Sequence, residues 1–349
     1  MNELAARIKK NSVLKYTNVL SKSEVFGIKD DTPTQVPIIN LALSGHFNKG
    51  FTAGLTMIAG PSKHFKSNLG LLMVAAYLKK YKEAVCIYYD SEFGCTPEYL
   101  KMAGIDIERV IHIPCENIED LKQDLMNQLN AITKEDKVIV FIDSIGNLAS
   151  KKEVDDAMNQ HVAADFSRAK SIKSLWRMVC PVCVLKNTPI ICISTTYSEI
   201  GMFPKDILGG GTGNMYASSS VLFLSKAQVK EEDEIAGYKF TIKTEKSRFV
   251  KEASKFPFIV TYKGGINVWS GLLDIALETG HVVSPTKGYY SRPSVEGDKK
   301  WRANATNCSE FWKPIFEKTD YKEACSKRYA LGQTVMVDDE EMTDEEGLE

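Results

Sequence analysis

Between residues 35 and about 225, short apolar runs alternate with longer stretches of helical periodicity. The runs at 55–59, 84–89, 110–113, 137–142, 189–194 and 220–225 are apolar on both faces, as strands covered from both sides must be. Helical patterns lie over 66–81, 96–103, 117–132 and 155–180. Strands separated by helices predict an α/β fold with a largely parallel central sheet. After residue 225 the pattern changes. Residues 238–244 and 256–262 read as antiparallel strands joined by a basic turn, and 271–331 as a small mixed region with helices near 271–279, 306–318 and 319–330. The expected organisation is a helical arm and linker over 1–34, a core over 35–270, a small C-terminal domain over 271–333 and an acidic tail over 334–349. Phe26 is the expected anchor of the arm, on a neighbouring copy or on its own core.

The richest local signal is Gly60-Pro61-Ser62-Lys63-His64-Phe65-Lys66-Ser67-Asn68, between an apolar strand and an apolar helical run. A phosphate-binding loop needs backbone N–H groups at a helix N-terminus, a Lys for the outer phosphates and a hydroxyl for Mg²⁺. Lys66 and Ser67 supply the last two. Phe65 stands where a Gly normally precedes the Lys; a left-handed backbone there would cost it roughly 1–2 kcal/mol. The competing reading is a plain strand-to-helix turn with a surface Lys. A second apolar run ends in Asp143, placing a carboxylate at the C-terminal end of a strand, where Mg²⁺ bound to ATP is held. A third ends in Asp90-Ser91-Glu92. Glu92 is the expected residue to orient water against the γ-phosphate, with Asp90 as competitor and helix capping as the alternative for either.

Composition changes this picture little, except through charge. The 349 residues are 44% hydrophobic and 26% charged, with net charge −1. No apolar run approaches the ~18 residues of a membrane span, and the N-terminus has no apolar signal core. Eight scattered Cys read as reduced thiols of a cytoplasmic protein; Cys180 and Cys183 read as small core residues rather than half of a zinc site. Residues 338–349 hold eight acids and no Lys or Arg, so the body without them carries about +7. Such a tail either competes with a polyanionic ligand or merely solubilises the chain end.

The loop at Gly60–Ser67, the segment from Tyr89 through Glu92 to Tyr99, the run ending Asp143-Ser144 and Gly209-Gly210-Gly211-Thr212-Gly213-Asn214-Met215-Tyr216 stand in the order found in RecA-type recombinases. The chain resembles that family over roughly residues 30–330, and within it the UvsX-type branch of T4-like bacteriophages. The resemblance implies a RecA-like ATPase core that uses ATP and Mg²⁺, forms filaments on single-stranded DNA and exchanges strands with homologous duplex. It implies a phage mediator and a single-strand-binding protein as partners. Glu92 matches the catalytic glutamate, Tyr99 the aromatic on adenine, and Trp269 a second ring on the base, with core packing as its alternative. Thr195 stands where the family has a longer polar phosphate sensor. Two loops are expected to bind DNA: one beginning at Lys151 and Lys152 and running to His161, the other carrying Ile200, Met202, Phe203, Lys205, Gly209, Gly210 and Gly211, apolar wedges beside a cation and a glycine run. Lys246 and Arg248 match cations that reach the next subunit's ATP, a solvated turn being the alternative. A hexameric helicase on the same core, and a non-hydrolysing paralogue, are the rival readings.

Overall fold

The computed structural model describes residues 2–23, 25, 30–159, 167–199, 205–231 and 234–332. In chain order the elements are α1 (Glu3–Asn11), α2 (Pro37–Ser44), β1 (Gly54–Ala59), α3 (Lys66–Lys80), β2 (Val85–Asp90), α4 (Pro97–Met102), β3 (Val110–Pro114), α5 (Ile118–Ala131), β4 (Val138–Asp143), α6 (Lys151–Met158), α7 (Ser167–Leu185), β5 (Pro189–Ser194), β6 (Thr196–Ser198), β7 (Asp206–Leu208), α8 (Thr212–Ala217), β8 (Ser220–Glu231), β9 (Glu234–Ser247), β10 (Lys255–Thr261) and β11 (Gly265–Ile266). The C-terminal region adds α9 (Leu272–Glu278), β12 (Val283–Thr286), β13 (Tyr289–Ser291), α10 (Pro293–Glu296), β14 (Trp301–Arg302), α11 (Ser309–Lys318) and α12 (Tyr321–Tyr329).

Among the described residues one nine-stranded sheet dominates, in the order β11-β10-β9-β8-β1-β5-β4-β2-β3. From β3 to β8 neighbouring strands run parallel; β8, β9, β10 and β11 pair antiparallel. Every residue of β1, β4 and β5 is buried, which is why their sequences show no alternation. One face is closed by α2, α3 and the C-terminal helices. The other is closed by α5 and α7, whose Leu121, Leu125, Leu129 and Ile172, Leu175, Trp176, Val179 point inward at helical spacing.

Three expectations change. The apolar run of β8 ends near Leu224, yet the strand continues to Glu231, because its pairing with β9 persists where one side is solvated. The basic turn expected around Lys243–Arg248 is strand as far as Ser247, paired with Ser220. The helix expected over 155–180 is two helices. Ser150 and Glu153 form a reciprocal capping box that starts α6 at Lys151, so the first expected DNA loop opens as a helix. At the N-terminus, α1 buries no residue and exposes Leu4 and Ile8. Phe26 and the acidic tail lie outside the described residues.

The C-terminal region shares the first core cluster through Phe311, Trp312, Ile315 and Tyr321. Its own centre is a buried cation. Arg292 is 1% exposed, donates to the carbonyls of Glu310 and Phe311, pairs with Glu296 and stacks on Trp301 and Phe311 at 4.9 and 4.8 Å. Removing Arg292 leaves the carbonyls of Glu310 and Phe311 without this donor and a void against two rings. Arg292→Ala is therefore expected to destabilise the protein by about 3 kcal/mol, seen as a lowered midpoint in urea; an unchanged midpoint would show that the network contributes nothing.

Candidate functional site

The loop after β1 turns into α3 through two residues with left-handed backbone, Lys63 at φ 60° and Phe65 at φ 63°. The strain foreseen for Phe65 is therefore real, about 1–2 kcal/mol. Its ring is half-buried against Phe240 and Phe258, with centroids 5.2 and 5.8 Å away. Aromatic pairs of this kind contribute about 0.5–1.5 kcal/mol each beyond their buried area, enough to offset the backbone cost. Within the loop, His64 Nδ1 lies 2.8 Å from the Ser62 carbonyl, and Lys66 Nζ donates to the Pro61 carbonyl at 2.8 Å. Gly60 and Pro61 open the loop.

Helix α3 crosses β4 unusually closely. A Cβ on Gly70 would sit 2.5 Å from the Phe141 ring, so only glycine lets the helix down onto this strand. That approach brings the Ser67 side chain beside the Asp143 carboxyl, close enough to act on its charge. Asp143 is 2% exposed. Its Oδ2 accepts from Cys95 Sγ at 3.7 Å, and its Oδ1 has no partner. Burial pushes the Asp143 carboxyl up to about 6, with Glu92 and Asp90 adding to the rise and Ser67 opposing it. Burial also lowers the Lys66 ammonium, against the pull of Glu92 and Asp143. A buried carboxylate oxygen left unpaired beside a serine hydroxyl is the oxygen-donor set a hard cation takes.

The turn after β2 separates Asp90 from Glu92. Asp90 is 2% exposed and spent on structure: Oδ1 accepts from the backbone N–H of Glu92 (3.0 Å) and Phe93 (2.8 Å), and Oδ2 meets His112 Nε2 at 3.1 Å. Glu92 is exposed at the tip of this turn, and its Oε1 accepts from Ser144 Oγ at 2.6 Å. Ser91 and Ser144 join the two strand ends reciprocally. Of the two acids, Glu92 is the one free to face a ligand.

Strand β5 lies between β1 and β4, so Thr195 at its end stands between the phosphate loop and Asp143. Room for Thr195 comes from Gly146 and Gly209, whose Cβ positions would each lie 3.1 Å from its Oγ1. Tyr99, on α4, meets the loop's helix through its hydroxyl, which accepts from Asn68 Nδ2. Trp269 is half-buried, and its ring packs on Phe316, 6.2 Å away.

The expected DNA contacts divide. Ile200, Met202 and Phe203 lie outside the described residues. The base of their loop is an antiparallel hairpin, Thr196 to Ser198 with Asp206 to Leu208. Lys205 is exposed beside it and lines a cleft of about 890 Å³ with Tyr197, Lys243 and Lys255. Gly209, Gly210 and Gly211 have a structural duty. Gly210 (φ 85°) and Gly211 (φ 80°) make the turn into α8, and Asn214, fully buried, holds it by donating to the Gly209 carbonyl at 2.7 Å while accepting from Trp176 Nε1. Lys151 pairs with Asp120 at 2.5 Å and Lys152 with Asp156 at 3.1 Å, exposed ion pairs of the weak kind that a phosphate can displace. Two aromatics at the bounds of these segments are exposed, Tyr197 at 55% and Tyr216 at 74%.

Lys246 and Arg248 sit away from their own phosphate loop. Lys246 Nζ donates to the carbonyls of Met215 and Tyr216 at the end of α8, on the sheet face opposite α3. The Arg248 N–H donates to the Ser219 carbonyl, and its side chain lines a cleft with Gly54 and Cys180, beside the first residues of β1.

Comparison with known proteins agrees with this geometry. The family described as the RecA N-terminal domain matches residues 4–267, and that described as the C-terminal domain of the bacteriophage T4 recombination and repair protein matches residues 269–325. A recombination and repair protein of Enterobacteria phage T4 is 48% identical over 340 residues, covering 95% of this chain and 87% of that protein.

The raised Asp143 carboxyl has a signed consequence. A group whose folded pKa lies above its unfolded value of 3.8 favours the fold below that value, and the benefit is lost as pH rises through about 6. Asp143→Asn should therefore raise the thermal midpoint of the metal-free protein at pH 8, by about 2–3 kcal/mol equivalent, and change it little at pH 4. An equal effect at both pH values would contradict the burial of this charge.

Proposed function

The chain belongs to the RecA family, and on that footing we propose that it is an ATP-dependent recombinase that assembles on single-stranded DNA and exchanges it with homologous duplex. The observation that carries the reading is the cluster of Lys66, Ser67, Asp143 and Glu92 at the C-terminal ends of the parallel strands β1, β4 and β2, with one buried carboxylate oxygen unpaired. Helicase motors share such a cluster; what favours a recombinase is the similarity over 95% of the chain to a recombination and repair protein.

In this reading the backbone N–H groups from Ser62 to Ser67 cradle the phosphates at the start of α3. Lys66 turns from the Pro61 carbonyl to the outer phosphates. Ser67 and Asp143 hold Mg²⁺, which neutralises phosphate charge when bound there. Glu92 orients the attacking water and takes its proton. Its own hydrogen bond from Ser144 and the Asp90 clamp on its backbone fix where that carboxylate stands. Thr195 senses the γ-phosphate from the intervening strand. Tyr99 offers its ring to the adenine. Trp269, seated on Phe316, offers a second ring to the base. Lys246 and Arg248 serve the ATP of a neighbouring subunit, stabilising charge that develops in the transition state.

Single-stranded DNA runs past the hairpin β6–β7. There Lys205 and Lys255 meet phosphates, with Lys243 beside them on its pair with Glu245, Tyr197 gives a base a stacking surface, and Lys151 and Lys152 meet phosphates at the first loop. The glycines at 209–211 shape this loop's exit. The apolar residues Ile200, Met202 and Phe203 at its tip separate bases. A mediator and a single-strand-binding protein of the phage complete the set of partners, in the cytoplasm of the infected cell. Among the described residues no helix is long and apolar enough to cross a membrane.

Two measurements check the proposal. Joint molecules between a single-stranded oligonucleotide and homologous supercoiled duplex should form with ATP and fail without it or without homology; DNA-stimulated hydrolysis with no joints would favour the helicase reading. Glu92→Gln should keep nucleotide binding and lower turnover by about 10²–10⁴-fold. Turnover equal to the unaltered chain would move the catalytic role elsewhere.

A further inference from the structure

We infer that Phe65 and Lys226 are positioning residues for nucleotide binding: Phe65 from within the phosphate loop, seated on β9 and β10, and Lys226 from β8 hold that loop, before ATP arrives, in the shape that presents Lys66 and Ser67. The inference rests on the reading of this loop as the ATP site.

Both left-handed residues of the loop are gripped from outside it. The Lys63 carbonyl accepts from Lys226 Nζ of β8 at 3.1 Å, and the same ammonium lies 4.8 Å from the centroid of the Tyr238 ring. The Phe65 ring packs on Phe240 of β9 and Phe258 of β10. These holds form one rung. Lys226 pairs across the sheet with Phe240, and Phe240 with Phe258; the two Phe rings stack at 5.7 Å. Phe240 and Phe258 are buried, so the rung is a fixed wall rather than a mobile cover.

Glycine at position 65 would reach the same backbone conformation without strain, but would have nothing to hold it there. Phenylalanine reaches it only while its ring is seated. Control of the loop thus passes from the loop's own backbone to strands β8, β9 and β10. A loop that visits several shapes binds with an affinity reduced by the fraction of time it spends in the competent one, and anchoring removes that reduction. The signature of such a role is a change in apparent ATP affinity with the chemical step left intact.

The test compares the full-length chain with Phe65→Gly, Phe65→Leu, Phe240→Leu, Lys226→Met and the Phe65→Gly/Phe240→Leu double variant. Binding of a fluorescent ATP analogue without DNA, and steady-state hydrolysis with single-stranded DNA, are measured beside thermal midpoints. Phe65→Gly should weaken nucleotide binding and raise KM by about tenfold, with kcat within about twofold. Phe65→Leu should recover part of the loss. Lys226→Met, a half-exposed position that leaves the core intact, should raise KM in the same direction. The double variant should bind no worse than Phe65→Gly, since both remove one contact. Binding by Phe65→Gly as tight as the unaltered chain, losses that multiply in the double variant, or a fall in kcat at constant KM would each overturn the anchor. Failure of the unaltered chain to bind the nucleotide would overturn the ATP reading and the anchor with it, a result distinct from the others.

Discussion

A carboxylate that is almost wholly buried with one oxygen unpaired is stable only if its surroundings hold it in place for a charge still to come. Asp143 is that carboxylate, and much of the structure near it exists to put it there. Gly70 lowers α3 onto Phe141 so that Ser67 reaches it. The reciprocal contacts of Ser91 and Ser144 tie the end of β2 to that of β4, which sets Glu92 at the mouth of the same pocket. Asp90, the nearer acid along β2, is consumed in shaping the turn that presents Glu92. Three acids and one lysine thus converge, and their roles are separated by what each already bonds.

The sheet divides the remaining work. On its C-terminal edge sit the loop and the acids; toward the beginning of β1 lie Lys246 and Arg248. Strand β9 runs between these ends, with Phe240 near the loop and Lys246 at the far end. The strand that grips the phosphate loop is therefore the strand that carries one of the distant cations. On the anchoring reading, a shift of β9 is felt at both ends, because a packed rung transmits displacement rather than absorbing it.

The buried strands were plain in the sequence, since burial on both faces removes polar positions altogether, and so were Lys66, Ser67, Asp143 and Glu92, whose residue types and strand-end positions are local properties. The start of α6 is also legible there, as Ser150 and Glu153 at capping-box spacing. Other features had no local signal. Lys246 lies in a strand because β8 pairs with it, and nothing between residues 243 and 248 reveals that partner. Phe65 looked like a liability because its compensation comes from Phe240 and Phe258, far along the chain. The glycines at 209–211 looked like flexibility suited to DNA; Asn214 and Trp176 show a turn held from the core. The seat of Trp269 had no local signal either, because its neighbour Phe316 lies in a helix whose docking no local pattern foretells.

The separation of the two charge clusters bears on assembly. Lys246 is bonded to the end of α8 on the face away from α3, so folding alone does not deliver it to its own loop. On the proposed reading, a complete site needs the loop edge of one copy against the cation end of another. Two different surfaces meeting in this way make a heterologous contact, and repeated without closure such contacts grow a helix. A filament is then the geometric consequence of dividing the site between opposite ends of one sheet. Hydrolysis that waits for the neighbour's cations is confined to assembled protein, so ATP is spent only on the DNA and spared where the protein is free.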